Sequence, residues 1–530
     1  EQYDKYNDPI AYLEKLAEDM TREEQRTAES TVTVNHQAVL TDKTNKLKNI
    51  GFAAFSKIYH ELGIDQFYIN RERGMKARLP LNNIMKLLVY ERIFNPSSKL
   101  SAYENKDFYV ENFEFPLESV YRALRLFAKH KNSLLLDLHE NVRMRYGRDV
   151  SNVFYDVTNY YFHTEEETNL IAKGFSKDRR GKPIIQMGLL LDKAGMPITY
   201  ELFRGNTSDC ETLLPILSKL KKDFRLKRAI VVADKGLNTG DNKAYNILKG
   251  DGYIFSRSLR GKKADKDVKA YALREEGYVW INDEFKIKSR IYPTDIWVTN
   301  KDGKRVSVTI DEKHIVFYSE DYARRTRHKR NEQIAKAITL IHSPSKYAKA
   351  ENYGALKYII GMRLDKKTGE LTLETKRSIP VLDEELIREE EKLDGYYSIV
   401  TSELDMPDSE VIEVYQGLWK IEESFKMTKS LLKARPVYLK RDDHIDAHFL
   451  TCFIALLILR VLEIKTHKQY SPEKMINSLK KANVVWMNQN IYQAIYYDDI
   501  LKLIDEKLNL TLNKEYPTQS DLKKLIAETK

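Results

Sequence analysis

The stretch PDSEVIEVYQGLWKIEESFKMTKSLLKARP, Pro407 to Pro436, decides how the chain is read. Val411, Val414, Leu418, Ile421 and Phe425 recur at alternating steps of three and four, the spacing of one buried stripe on a helix. The pattern predicts a single helix of about six or seven turns. A second stripe, rotated by about 100° on the same helix, carries Tyr415, Trp419, Glu422, Lys426 and Lys429. One carboxylate between aromatics and lysines suits an anionic ligand plus a metal. An ordinary Glu422 to Lys426 pair at i+4, worth ~0.2–0.5 kcal/mol, accounts for it as well. The helix alone favours the ordinary pair.

Two other stretches bear on that choice. VFYDVTNYYF (residues 153–162) and AIVVADKGLNTGDN (residues 229–242) each read as a short β-rich run, with Asp156 near the middle of the first and Asp234 where the apolar part of the second ends. A lone carboxylate in such a run is expensive to bury, so each calls for a partner or a metal. A strand Asp, an Asp closing a later strand, and a helix with Tyr415, Trp419, Ile421, Glu422, Lys426 and Lys429 in this spacing resemble the DDE transposases of bacterial insertion sequences. The branch it is similar to carries a Tyr-Arg-Glu-Lys signature and a β-rich insertion before the catalytic Glu. Tyr415, Glu422 and Lys429 fall on that signature, whereas Leu418 stands where the family carries Arg, which removes one expected phosphate contact. The resemblance runs from about Leu81 to Glu463.

The resemblance implies an α/β fold: an RNase H-like catalytic core in two parts (151–254 and 394–463), interrupted by a β-rich insertion domain (255–393). A mainly helical DNA-end-binding region (1–150) precedes it, and a helical C-terminal region (464–530), with dimerisation expected, follows. Asp156, Asp234 and Glu422 would be the catalytic residues and, as hard oxygen donors, the ligands of two Mg²⁺ ions, with Mn²⁺ able to substitute. Tyr155, next to Asp156, points to the other strand face and is not a nucleophile. Tyr415, Trp419, Lys426 and Lys429 would contact DNA beside the metals. Tyr397, four residues before Thr401, matches the family's aromatic that receives a flipped base.

The implied activity is metal-dependent cleavage at transposon ends and strand transfer into target DNA, cut-and-paste. Its partners would be double-stranded DNA (terminal inverted repeats and target) and a second copy in a homodimeric synaptic complex, with no membrane, in the bacterial cytoplasm on the nucleoid. The alternatives are an RNase H-like nuclease without strand transfer and a catalytically inactive DNA-binding derivative.

Composition agrees with a polyanionic partner. The 530 residues carry a formal charge of +10 and a pI near 9.0, although with 31% charged residues the basicity has to be local. Two runs concentrate it, Arg257, Arg260, Lys262 and Lys263, and the denser Arg324, Arg325, Arg327, Lys329 and Arg330. Such runs are commonly solvated faces, but beside a phosphate-handling site they read as DNA-backbone contacts. Cys210 and Cys452 have no paired spacing, which suits a reducing compartment and excludes a Cys-based zinc site. His444 and His448 stand at i, i+4, but without a third ligand nearby they read as one polar turn on a buried helix. The apolar run 449–459 is too short to span a bilayer. Since the chain starts at Glu1, a further N-terminal piece is expected to precede it.

Periodicity and turn chemistry predict helices at 9–26, 51–62, 81–94, 117–130, 132–146 and 321–340, and strands at 31–40, 153–158, 184–191, 198–203, 229–234 and 395–402. Asp302-Gly303 predicts a hairpin between 296–299 and 306–310, and 366–369 another turn. A buried helix follows Pro436, and residues 466–530 read as helical.

Overall fold

The computed structural model describes residues 9–26, 37, 39, 47–75, 78–164, 166–174, 182–224, 227–261, 264–342, 353–364, 371–373, 375, 379–488 and 490–530. Helix α1 (Pro9–Arg26) matches its predicted bounds. The predicted strand at 31–40 and the turn at 366–369 fall wholly or largely outside the described residues. Strand β1 (Leu47–Asn49) leads into α2 (Phe52–Glu61), α3 (Ile64–Arg73), α4 (Leu81–Phe94), α5 (Lys99–Glu104) and α6 (Leu117–Tyr146). The two helices expected at 117–130 and 132–146 are one. No Pro or Gly interrupts the stretch, and Lys131 at the expected break is buried between Glu201 and Asp446, which gives the continuous helix an inward anchor.

The central segment runs β2 (Asn152–Tyr161), β3 (Ile184–Leu191), β4 (Pro197–Arg204), α7 (Asp209–Asp223), β5 (Ile230–Ala233), α8 (Gly240–Leu248) and β6 (Gly252–Ser256). This strand-strand-strand-helix-strand-helix order is the expected one. Then come α9 (Lys266–Leu273), β7 (Val279–Asn282), β8 (Phe285–Thr299), β9 (Arg305–Ser319), α10 (Glu320–His342), α11 (Tyr353–Leu356), β10 (Ile359–Ile360), β11 (Met362–Leu364), β12 (Leu371–Leu373), β13 (Val381–Leu382), α12 (Glu384–Glu391) and β14 (Tyr396–Thr401).

Among the described residues, nine strands form one mixed sheet in the order β4-β3-β2-β5-β6-β14-β9-β8-β7. β5 lies near its middle, parallel to both β2 and β6, and is buried along its whole length, as strands covered on both faces are. The segment expected as a β-rich inserted domain at 255–393 feeds β7, β8 and β9 into this sheet through the antiparallel β14–β9 ladder. Pairing with β14 satisfies the backbone groups that an independent edge would leave open. The long β8–β9 hairpin turns at Asn300–Lys304, with Gly303 at positive φ.

The remaining elements are α13 (Asp408–Gln416), α14 (Trp419–Lys426), α15 (Asp442–Lys465), α16 (Pro472–Lys481), β15 (Asn483–Asn488), β16 (Ile491–Ala494), α17 (Asp499–Leu508) and α18 (Gln519–Glu528). By length and composition α15 could cross a membrane, but 94% of its most apolar window is buried inside the molecule, the position of a core helix. The C-terminal region is not all helical: β15 and β16 form a sheet with β1 from the far end of the chain. Asn49, fully buried, ties this junction by donating to Leu479 O and Ala482 O and accepting from Phe52 N.

Candidate active site

Strand register places the first two acids. β2 and β5 are parallel neighbours paired Asn152 to Ile230, Val153 to Val231 and Phe154 to Val232. Extending the register by two residues sets Asp156 opposite Asp234, and side chains opposite one another on adjacent parallel strands share a face. Asp234 directly follows β5 and caps the short turn behind it, accepting from its neighbour Lys235 N at 2.7 Å. Ser256 at the end of β6 donates its hydroxyl to the same carboxylate at 2.7 Å.

The organising helix crosses the Asp156 face. Phe154, Asp156, Thr158 and Tyr160 alternate onto one side of β2. A Cβ on Gly417 would lie 2.6 Å from the Phe154 ring, so the helix backbone rests on that ring and needs glycine there. Further along, Thr428 Oγ1 shares a 2.7 Å hydrogen bond with the Tyr160 hydroxyl, and Lys429 Nζ donates to Thr158 Oγ1. From Gly417 to Thr428 a helix rises about 16 Å, and from Phe154 to Tyr160 a strand rises about 20 Å. The two therefore run alongside each other, with Glu422 roughly midway, at the level of Asp156.

The expected single helix is divided into α13, α14 and a wide turn at Met427–Leu431. At Gly417 and Leu418 the backbone stays right-handed but tightens, with Leu418 N bonded to Tyr415 O and Lys420 N to Gly417 O. At the far end it loosens, with Leu432 N bonded to Met427 O and Ala434 N to Thr428 O. Contact with β2 at both ends explains the departure from an even helix: the helix must meet Phe154 and Tyr160 in phase, and 3.6 residues per turn is adjusted locally to do so.

Tyr415 is buried, and its hydroxyl lies 2.7 Å from that of Tyr397 on β14. Phe317 stacks on Tyr397 at 5.5 Å between ring centroids, and Tyr322 meets it edge-on. Burial raises both phenols above their ordinary pKa, and the Asp234 charge pushes the same way. Tyr397 is thus half-buried in an aromatic corner next to Asp234, with one ring face taken by Phe317. Glu422 and Lys426 on the same helix stripe are exposed.

Among the described residues, no group of three or more His, Cys, Asp or Glu side chains is close enough to hold a metal ion. Continued register would put Asp156 and Asp234 on one face of neighbouring strands, and Glu422 is exposed on the adjoining helix. The donor set still suits a hard divalent cation, since three carboxylates supply only oxygen.

The family described as transposase DDE domain matches residues 156–458, from Asp156 through Asp234, Glu422 and Lys429 to α15. The chain belongs to the DDE transposase family. No curated protein matches it.

Other predicted contacts of this DDE transposase divide. Trp419 is 54% exposed and borders the β3–β4 turn rather than the Tyr397 corner. Arg325 and Lys329 are exposed on α10. Arg324 pairs with Asp321 and Glu284, and Arg327 lies 3.9 Å from Asp394. Arg330 departs from the predicted basic face: it is buried and ion-paired with Asp394. On a helix packed on one side, a run of basic residues must send some inward, and an arginine does so only with a carboxylate to meet it. Of the other run, Arg257 bonds Asp265 and the Tyr292 hydroxyl, and Arg260 bonds Leu393 O. Lys262 and Lys263 lie outside the described residues. His448 is buried, donates Nε2–H to Ala434 O, and is no ligand. Ser256, Thr158 and Tyr322 were not legible as site residues, because each reaches the site through strand pairing or a distant helix and has no local motif.

Proposed function

We propose that this transposase cuts DNA at the ends of its element and joins the freed 3′-hydroxyls to target DNA, with β2 to β6 serving as an RNase H-like core. The observation carrying this reading is the register that sets Asp156 opposite Asp234 while the Glu422 helix crosses the same face. Asp156, Asp234 and Glu422 would hold divalent metal, Mg²⁺ being the natural candidate. When bound, such ions supply activation of the attacking oxygen and charge neutralisation at the leaving oxygen in phosphoryl transfer.

The chain's own residues do the rest. Ser256 and the Lys235 amide both donate to Oδ1 of Asp234 and orient its carboxylate. Lys429, tethered to Thr158, keeps an ammonium two residues along the strand from Asp156, where it offsets phosphate charge. Lys426, exposed one turn beyond Glu422, is free to meet the DNA backbone. The paired Tyr397 and Tyr415 hydroxyls wall the Asp234 side of the site. A homodimer bridging two ends fits a reaction that must hold both at once.

Incubating the protein and Mg²⁺ with a duplex carrying the element boundary plus a plasmid tests the reading. Joined products are expected, with Asp156→Ala, Asp234→Ala and Glu422→Gln each at least 100-fold slower. Hydrolysis without joining would make the protein a nuclease, and cleavage undiminished in Asp234→Ala would remove the metal assignment.

A further inference from the structure

The wide turn that carries Lys429 is fastened from outside the sheet. Arg92, on α4 of the N-terminal helical region, is 5% exposed, and its Nη1 donates to Leu432 O at 3.3 Å and Lys433 O at 3.4 Å. Its Nη2 donates to Ser97 O at 3.0 Å. His448 on α15 takes the next carbonyl, Ala434 O, at 3.1 Å. Three consecutive carbonyls beyond the turn are therefore held by two buried side chains from different helices. Lys433 sits among them at φ 41°, a left-handed conformation that a non-glycine residue keeps only where its surroundings impose it. The inner side of the same turn meets β2 through Thr428 and Lys429.

From this clasp we infer that Arg92 is a positioning residue for Lys429, so that the N-terminal helical region is a working part of the cleavage machinery and not only a grip on DNA. The inference rests on the proposed role of Lys429. A planar guanidinium whose Nη1 serves both turn carbonyls while its Nη2 is anchored on Ser97 O fixes a backbone segment in a way that one flexible ammonium does not. Removing it releases Leu432 and Lys433, lets φ at Lys433 relax to negative values, and frees the turn to move Lys429 away from Thr158. A displacement of about 1 Å at a group that must meet a transition state is enough to slow a reaction about 100-fold.

The test uses the full chain, a duplex carrying the element boundary, and Mg²⁺. Arg92→Met is expected to slow cleavage at least tenfold with DNA affinity unchanged, and to speed hydrogen exchange at the Leu432 and Ala434 amides. Arg92→Lys, which keeps the buried charge, should cut at an intermediate rate and stands in if the Met variant does not fold. Combined with Lys429→Met, Arg92→Met should add less than twofold to the loss from Lys429→Met alone, since the two act through one group. Wild-type cleavage in the Arg92 variants, fully multiplicative losses in the double variant, or wild-type cleavage in Lys429→Met each overturn the inference. If the unaltered protein cuts no end-bearing DNA, the proposed function fails instead, while exchange at Leu432 and Ala434 still reports whether Arg92 holds the turn.

Discussion

At the scale of single residues, buried polar groups set measurable thresholds. His314 on β9 is fully buried, sharing a 2.7 Å hydrogen bond with Ser398 Oγ. Burial first, then the charges of Arg257, Arg290, Lys243 and Lys288, push its pKa down to about 3 from the usual 6.5. The native imidazole is therefore neutral where the unfolded one protonates. The stability this group permits is complete above about pH 6.5 and is lost progressively as pH falls toward 3. At pH 5.5 the loss is about 1.4 kcal/mol, so His314→Gln should flatten the fall of the unfolding midpoint between pH 6.5 and 4.5. Gly417 sets a steric threshold. Gly417→Ala drives a methyl into the Phe154 ring, which is expected to destabilise by ~1–3 kcal/mol and to slow cleavage, because the helix bearing Glu422 must lift off β2. An unchanged melting curve with unchanged cleavage would show that the helix does not rest on that ring.

Elements add couplings that no single residue carries. The tip of the β8–β9 hairpin docks on the start of α8, where Asp241 accepts from Thr299 N at 2.6 Å and Thr299 Oγ1 at 3.2 Å. Gly240 lies so close beneath Trp297 O that no Cβ fits. The hairpin is thereby tied to the segment that follows Asp234. Asp241→Ala should raise hydrogen exchange across residues 297–305 while the β2–β3 ladder stays protected. On α10, burial separates two kinds of basic residue. Arg325→Ala with Lys329→Ala should lower the slope of log affinity for duplex DNA against log salt by about two, if both contact phosphates. Arg330→Met should leave that slope unchanged but destabilise by ~1–3 kcal/mol, because Asp394 loses its closest buried partner. Equal slopes for all variants would take α10 out of the DNA path.

Across the whole molecule, the two ends of the chain close on each other around α15. β1 pairs with β15, and Asn49 satisfies carbonyls at the end of α16. Asn49→Ala strands those carbonyls in a buried site and is expected to lower the unfolding midpoint, at ~1–3 kcal/mol for each group left unpaired. The N-terminal helices, the sheet and the C-terminal region share one apolar core running from Ile50 to Leu525. A fragment cut from the matched region, 156–458, would lose α2, α4 and α6 from around α15, and it should be insoluble or molten where the full chain is cooperative.

The sequence by itself determined the local elements and the family. The Asn95-Pro96 stop bounded α4 and a continuous apolar run located α15, and the Asp302-Gly303 turn located a hairpin whose strands extend well past the predicted ones. Asp156, Asp234 and Glu422 stood out through the company each keeps within a few residues, which is the range over which periodicity and turn chemistry act. Only the tertiary structure decided that β7 to β9 extend the central sheet, that Arg330 turns inward, and that the helix bearing Glu422 tightens at Gly417 and widens beyond Lys426. Each of these depends on a partner far away in the chain: β14 for the strands, Asp394 for Arg330, Phe154 and Tyr160 for the helix. Backbone and charge satisfaction are global conditions, and a local pattern cannot say which distant group will meet them.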